Sequence, residues 1–367
     1  MPVTLPSPQE ILLRVRDDTE RAARRTRNGV KHLAGVGRPA VGTAPKDVLW
    51  ESGRATLWRY RSDRVQFTPP VLIVNSLLGR SSLLDLTENA SLVRSFVASG
   101  LDVFMLDWGV PDERDAGNTL ETYLDDYLAP AVERVTLAAG VPEVSLFGYC
   151  LGGVLAALLV ASHPELPVRS LTALATPTDA RHMGLLYDLL AEGKLEPDLL
   201  IDETGNVPPE VVRRAFRLLK PTADVTKYVT LWENLWNDEY VESYQAMGQW
   251  LQEHLPFPGA TFRQLVDMLI RDNAMMNDTL RLHGRPVHLR SITCPFLNVV
   301  AERDHIVPPA AATPLLDLVG STTKEELRLQ AAHVGLVAGR TANKVTLPTM
   351  IEFLQRRSDR LGGGPLP

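Results

Sequence analysis

Val144-Ser145-Leu146-Phe147-Gly148-Tyr149-Cys150-Leu151-Gly152-Gly153, running on as Val154-Leu155-Ala156-Ala157-Leu158-Leu159-Val160-Ala161-Ser162, carries no charge from end to end. A stretch of this length could cross a membrane as one helix, but its interior argues otherwise. Gly148, Gly152 and Gly153 crowd the first half, directly behind the β-prone Val144, Leu146 and Phe147. A buried strand, a sharp turn and a buried helix account for the pattern better, and no second apolar stretch of that length accompanies it. Gly148-Tyr149-Cys150-Leu151-Gly152 then sits between strand and helix as G-x-C-x-G, a nucleophile elbow with cysteine where serine is usual. The glycines are required because the turn is too tight, and the helix packs too close, for a β-carbon. The helix start beside the sulfur favours thiolate. The N–H of Leu151 is a natural oxyanion donor, and Leu77, in the loop after the strand Val71–Val74, is assigned as the second.

Working outward, the chain repeats strand, turn and helix. Ala55–Tyr60 alternates like a hairpin strand, and Val71–Val74 and Val103–Leu106 are continuous apolar runs of the kind buried on both faces of a parallel sheet. Helices are expected at 91–98, 120–138 and after Cys150, with further strands at 170–175, 296–300 and 327–329. This alternation predicts an α/β protein with a mostly parallel sheet and helices on both faces. Residues 180–290 interrupt it. They hold no buried strand run, show helical periodicity over 209–220 and 226–254, and contain Trp232, Trp236 and Trp250. A helical insertion between two sheet strands is commonly a cap over the site, with a non-gating accessory subdomain as the alternative. The organisation expected is an N-terminal helix and linker over 1–45, a core of 46–179 and 291–367, and a cap of 180–290. Within the first segment a helix spans about 7–35, and its basic run (Arg21, Arg24, Arg25, Arg27, Lys31) reads as a solvated face or a partner-docking surface.

A nucleophile on an elbow needs a base and an orienting acid, following it in the order acid, base. Asp304, in Ala301-Glu302-Arg303-Asp304-His305, comes just after the strand 296–300, where α/β sites gather. His333 follows the last strand, on a loop at the same sheet edge, and the interval has room for one helix and one strand. His305 is the rival base, but neighbours in sequence rarely point at each other. Asp179 is the rival acid. The other histidines (His163, His182, His254, His283, His288) read as surface or packing residues.

The composition is globular, 45% hydrophobic and 22% charged. A formal net charge of −6 argues against general nucleic-acid binding. The two cysteines, Cys150 and Cys294, offer neither a disulfide framework nor a zinc pattern. With no signal-peptide layout at Met1-Pro2-Val3, a cytoplasmic, reduced protein without a transmembrane segment is expected.

Taken together, Asp107-Trp108-Gly109, Phe147-Gly148-Tyr149-Cys150-Leu151-Gly152-Gly153, Asp304-His305-Ile306-Val307-Pro308-Pro309 and His333-Val334-Gly335 resemble the catalytic subunit of class III polyhydroxyalkanoate synthases, from about residue 45 to about 357. The resemblance implies an α/β-hydrolase fold with a helical cap. It also implies Cys150 as acyl-accepting nucleophile, His333 as general base and Asp304 as its partner. (R)-3-hydroxyacyl-CoA would be the substrate and a polyester the product, with no cofactor and no metal. It further implies a second, non-catalytic subunit, is compatible with a homodimer, and places the work at a polyester granule surface. Two positions differ from the family pattern: Gly79 stands where Asn is usual, and Ala332 where glycine is usual. A thiolate fits polymerisation, because exchange of one thioester for another keeps the acyl group activated for later transfer to a hydroxyl. Two other readings share these residues: a thioesterase, esterase or acyltransferase of specialised metabolism with the same triad, and a non-catalytic granule- or subunit-binding protein.

Overall fold

Apolar runs that must be buried on both sides need a sheet covered on both faces, and they form its middle. In the computed structural model, which describes residues 8–33, 39–219 and 231–361, one sheet contains eight main strands. These are β1 (Lys46–Ser52), β2 (Ala55–Tyr60), β3 (Phe67–Val74), β4 (Leu101–Asp107), β5 (Val144–Tyr149), β6 (Val168–Leu174), β7 (Phe296–Ala301) and β8 (Lys324–Leu329). They lie in the order β1-β2-β4-β3-β5-β6-β7-β8, and Asp359–Arg360 adds a short ninth strand beside the start of β3. The β1–β2 hairpin joins β4 antiparallel, and every pairing from β4 to β8 is parallel.

The helices are α1 (Pro8–Leu33), α2 (Leu92–Ala98), α3 (Ala129–Ala139), α4 (Leu151–Ser162), α5 (Leu185–Ala191), α6 (Pro209–Leu219), α7 (Asp238–Trp250), α8 (Gly259–Leu265) and α9 (Leu347–Arg356), with shorter turns between. Strand alternation divides the core in two. Leu72, Val74, Phe104 and Leu146 face α3 and α4, while Val71, Ile73, Val103 and Phe147 face α2 and α9. Across the second layer, Phe96 meets Phe147 edge-to-face at 5.6 Å. Helix α4 is buried on every side from Leu151 to Ala161, which explains its uniform apolarity. Among the described residues no helix is long and apolar enough to cross a membrane.

Between β6 and β7 the chain leaves the sheet and builds a mostly helical layer containing α5 to α8. Two short strand pairs, Asn206–Val207 with Phe257–Pro258 and Arg281–Leu282 with Arg285–Pro286, tie it together. The continuous helix expected over 226–254 is broken. Residues 226–230 lie outside the described residues, and a turn separates 231–234 from α7. Asn237 causes the restart: its Oδ1 accepts the Tyr240 N–H at 3.2 Å, and Asp238 and Glu239 fill the electropositive first turn.

The basic run of α1 is exposed at Arg21, Arg24, Arg27 and Lys31, but part of it is engaged by the chain itself. Arg21 stacks over Trp236 at 4.9 Å and Arg25 over Trp232 at 5.9 Å. Arg27 Nη2 pairs with Asp238 Oδ1 at 2.8 Å. Buried Asn28 donates through Nδ2 to the Leu235 carbonyl and to Asp238 Oδ1, at 2.8 and 2.7 Å. The N-terminal helix therefore docks on the chain's own insertion.

Candidate active site

The elbow is built from close approaches. A β-carbon on Gly152 would run into the Val74 and Asn75 carbonyls, and one on Gly148 would lie 2.5 Å from the Gly153 Cα. The turn forces Cys150 to φ +54° and ψ −122°, a conformation costing a non-glycine residue about 1–3 kcal/mol. Two backbone bonds hold it there: Cys150 N–H to the Leu174 carbonyl at 2.8 Å, and Gly153 N–H to the Cys150 carbonyl at 2.9 Å. Cys150 thus stands between β5 and the N-terminus of α4, with Leu151 as the first residue of that helix.

Asp304 and His333 arrive from the loops after β7 and β8, and both are buried with Cys150 (4, 6 and 8% exposed). His333 Nδ1 lies 2.7 Å from Asp304 Oδ2. The other carboxylate oxygen, Oδ1, accepts the N–H groups of Ile306 and Val307 at 2.8 and 2.9 Å, which fixes the carboxylate plane. Burial alone would push the His333 imidazole down. The charge of Cys150 and the hydrogen bond and charge of Asp304 together outweigh it and hold the imidazole up at about 10. The structure therefore brings Cys150, His333 and Asp304 together, with the imidazole hydrogen-bonded to the carboxylate. The Tyr149 ring packs on the imidazole at 5.1 Å between centroids. Burial, and then the charges of Cys150 and Asp304, push its phenol far up.

The rivals lie elsewhere. Asp179 is committed to the insertion, its Oδ2 2.6 Å from Arg181 Nη2 and its Oδ1 accepting from Asn273 Nδ2 at 2.9 Å. His305 is exposed. Burial pushes the Cys294 thiol up to about 11. Leu77 is buried in the loop that follows β3, which Gly152 brings against the elbow. This loop is stapled by groups that the sequence did not mark. Asn75 Nδ2 donates to the carbonyls of Ser76 and Gly79, at 3.1 and 2.9 Å, and Trp108 Nε1 donates to the Asn75 carbonyl at 2.8 Å. The tryptophan of Asp107-Trp108-Gly109 was visible, but its partner Asn75 lies in the loop after a different strand.

Above the thiol is a cavity of about 180 Å³. Leu78, Cys150 and Leu151 form part of its wall, and Tyr187, Val212, Phe216 and Val266 from the insertion contribute to the rest. The insertion's share of the wall is mostly aliphatic, with Tyr187, Phe216, Phe257 and Phe262 among it, and none of Trp232, Trp236 and Trp250 lines it. Trp232 and Trp236 are instead turned to α1.

A family model described as alpha/beta hydrolase fold matches residues 69–337. The poly(3-hydroxyalkanoate) polymerase subunit PhaC of Allochromatium vinosum is 32% identical over 341 residues, covering 91% of this chain and 95% of that protein. The chain belongs to the PhaC polymerase family. Another PhaC, from Thiocystis violacea, is 30% identical across 90% of this chain and 93% of its own. Among solved structures, a thermophilic esterase from Thermogutta terrifontis superposes with a TM-score of 0.52 at 15% identity, over 86% of this chain and 99% of its own. That likeness concerns the fold alone. As a PhaC-family protein the chain is an enzyme of the acyltransferase class, built on an α/β-hydrolase fold.

Proposed function

We propose that this PhaC-family enzyme polymerises (R)-3-hydroxyacyl-CoA through thioesters formed on Cys150, with His333 and Asp304 completing the triad. The Cys150 thiolate attacks the acyl-CoA carbonyl, and the oxyanion is met by the N–H groups of Leu151 and Leu77. As the intermediate collapses, the carbon–sulfur bond to CoA breaks and the departing thiolate takes the proton carried by His333. The neutral imidazole then takes the proton of the next hydroxyacyl hydroxyl as that oxygen attacks the acyl-cysteine carbonyl. An oxygen ester forms, Cys150 leaves as thiolate, and His333 is an imidazolium again. Asp304 orients the ring and stabilises its charge throughout. No cofactor enters these steps.

The observation that carries this reading is the largely apolar cavity lying over the buried Cys150, with His333 and Asp304 buried beside it. An acyl-thioester that must wait for a hydroxyl survives only where water is excluded. Residues 180–290 act as the lid of this cavity, and residues 46–179 and 291–367 as the catalytic core. The relatives' name, polymerase subunit, supports a second subunit working with this chain; we take that subunit as non-catalytic and set the work at the surface of the polyester granule. The test is incubation of pure protein with 3-hydroxybutyryl-CoA while CoA, free hydroxy acid and polymer are all measured. Polymer together with CoA release is expected from the wild type, none from Cys150→Ala, and activity within a few-fold of wild type from Cys294→Ala. Free acid without polymer would make the enzyme a thioesterase, and equal loss from both cysteine variants would remove Cys150 from its role.

A further inference from the structure

We propose that Trp250 is a positioning residue for this reaction: it clamps the loop carrying the Leu77 oxyanion donor to the cap, so that the oxyanion site is complete only when the cap is seated. The inference rests on the acyl-thioester reading above and deepens it.

Residues 75–80 are squeezed between two bodies. On one side Gly152 lets α4 approach until only a hydrogen fits against the Val74 and Asn75 carbonyls. On the other, the indole of Trp250 lies on Gly79, where a β-carbon would stand 2.7 Å from Cζ2. The same indole donates through Nε1 to the Arg80 carbonyl at 3.0 Å, and Arg80 Nε pairs with Glu253 Oε2 at 3.3 Å. One turn of the cap thus makes three contacts with two consecutive loop residues. From the sheet side Trp108 holds the start of the loop, Asn75 reaches across it to the Gly79 carbonyl, and Ser81 Oγ donates to Asp107 Oδ2 just beyond it, so the cap adds a second hold on Gly79 and Arg80 from the opposite face. The clamp also reaches the acyl cavity. His254 packs on Trp250 at 6.3 Å and on Phe216 at 5.3 Å, and Phe216 is part of the wall above Cys150. Seating the cavity wall and seating the loop are consequently one motion.

A donor aimed at a developing oxyanion is sensitive to small displacements, and a misplacement near 1 Å can cost about a hundred-fold in rate. The clamp therefore acts on the acylation rate rather than on substrate affinity. Three variants test it: Trp250→Phe, which keeps a ring but removes the indole N–H; Gly79→Ala, which pushes the ring away from the opposite side; and Gly79→Ala combined with Trp250→Phe. The readouts are single-turnover CoA release from 3-hydroxybutyryl-CoA, KM, and hydrogen exchange of the 75–80 backbone. Each single variant is expected to slow acylation about ten-fold, with KM within two-fold and faster exchange in the loop. The combined variant should lose no more than the worse single one, because both disturb the same contact. Acylation at the wild-type rate in both single variants, or multiplicative losses in the combined one, would overturn the clamp. A wild-type enzyme that releases no CoA would instead overturn the acyl-thioester reading, and with it any catalytic meaning of altered exchange.

Discussion

His333 carries opposing influences that can be separated by one substitution. Burial opposes its charge, while the charge of Cys150, then the bond and charge of Asp304, support it strongly enough to hold the imidazole at about 10 against an ordinary 6.5. In Cys150→Ala the charge of the sulfur is gone and burial is opposed by Asp304 alone. The His333 titration, followed by the imidazole resonances in NMR, should therefore move to clearly lower pH than in the wild type. An unchanged titration would mean that the thiol and imidazole are not coupled. The linkage has a definite sign. A histidine raised on folding stabilises the native state fully below about 6.5 and loses that contribution as pH climbs through about 10. Chemical unfolding across that range should show wild-type stability declining more steeply than that of Cys150→Ala.

The elements around the site are set by close packing more than by propensity. Gly152 is the second residue of α4, with the Val74 and Asn75 carbonyls where its β-carbon would be. Gly152→Ala should cost on the order of 1–3 kcal/mol, through overpacking against backbone that cannot yield. Its signature should be a lowered thermal midpoint together with slow acylation, since α4 carries Cys150 at its start; a variant of wild-type stability would show that the elbow has slack. This element was readable from the sequence because a glycine pattern between apolar runs has few physical explanations. The central strands were readable for the same kind of reason: doubly buried Val71–Val74 and Val103–Leu106 leave a local trace. β1 left none. As an edge strand with mostly exposed or half-exposed residues, Lys46–Ser52 shows no continuous apolar run. The break before α7 was missed because 3.6-residue periodicity persists through a turn, and only the capping residue Asn237 betrays it. That His333 and Asp304 meet at one sheet edge was legible from chain order, whereas the staple from Trp108 to Asn75 and the contact of Trp250 with Gly79 join positions far apart in sequence with no motif to pair them.

At the scale of the whole molecule, the described contacts of the N-terminal helix tie it to the cap. Helix α1 precedes the sheet, yet its contacts are with the cap: Arg21 and Arg25 on Trp236 and Trp232, and Arg27 and Asn28 on Asp238. Exposed cation–π and ion pairs are each worth about 0.5–1 kcal/mol or less. Asn28 is different, because it is buried and its amide satisfies both the Leu235 carbonyl and Asp238. Replacing it with alanine leaves the Leu235 carbonyl without this donor, which should cost about 1–3 kcal/mol. That cost falls on the docking of α1 and the start of α7, and not on the sheet. The expected result is local opening: limited proteolysis of Asn28→Ala should cut within residues 231–250 faster than in the wild type, while the sheet resists as before. A non-hydrolysable acyl-CoA analogue should slow cleavage in both proteins, because an occupied cavity holds Phe216 and its neighbours in place. Equal cutting rates in the two proteins would mean that α1 merely rests on the cap. Faster cutting that the analogue cannot slow would separate the docking of α1 from the closure of the site.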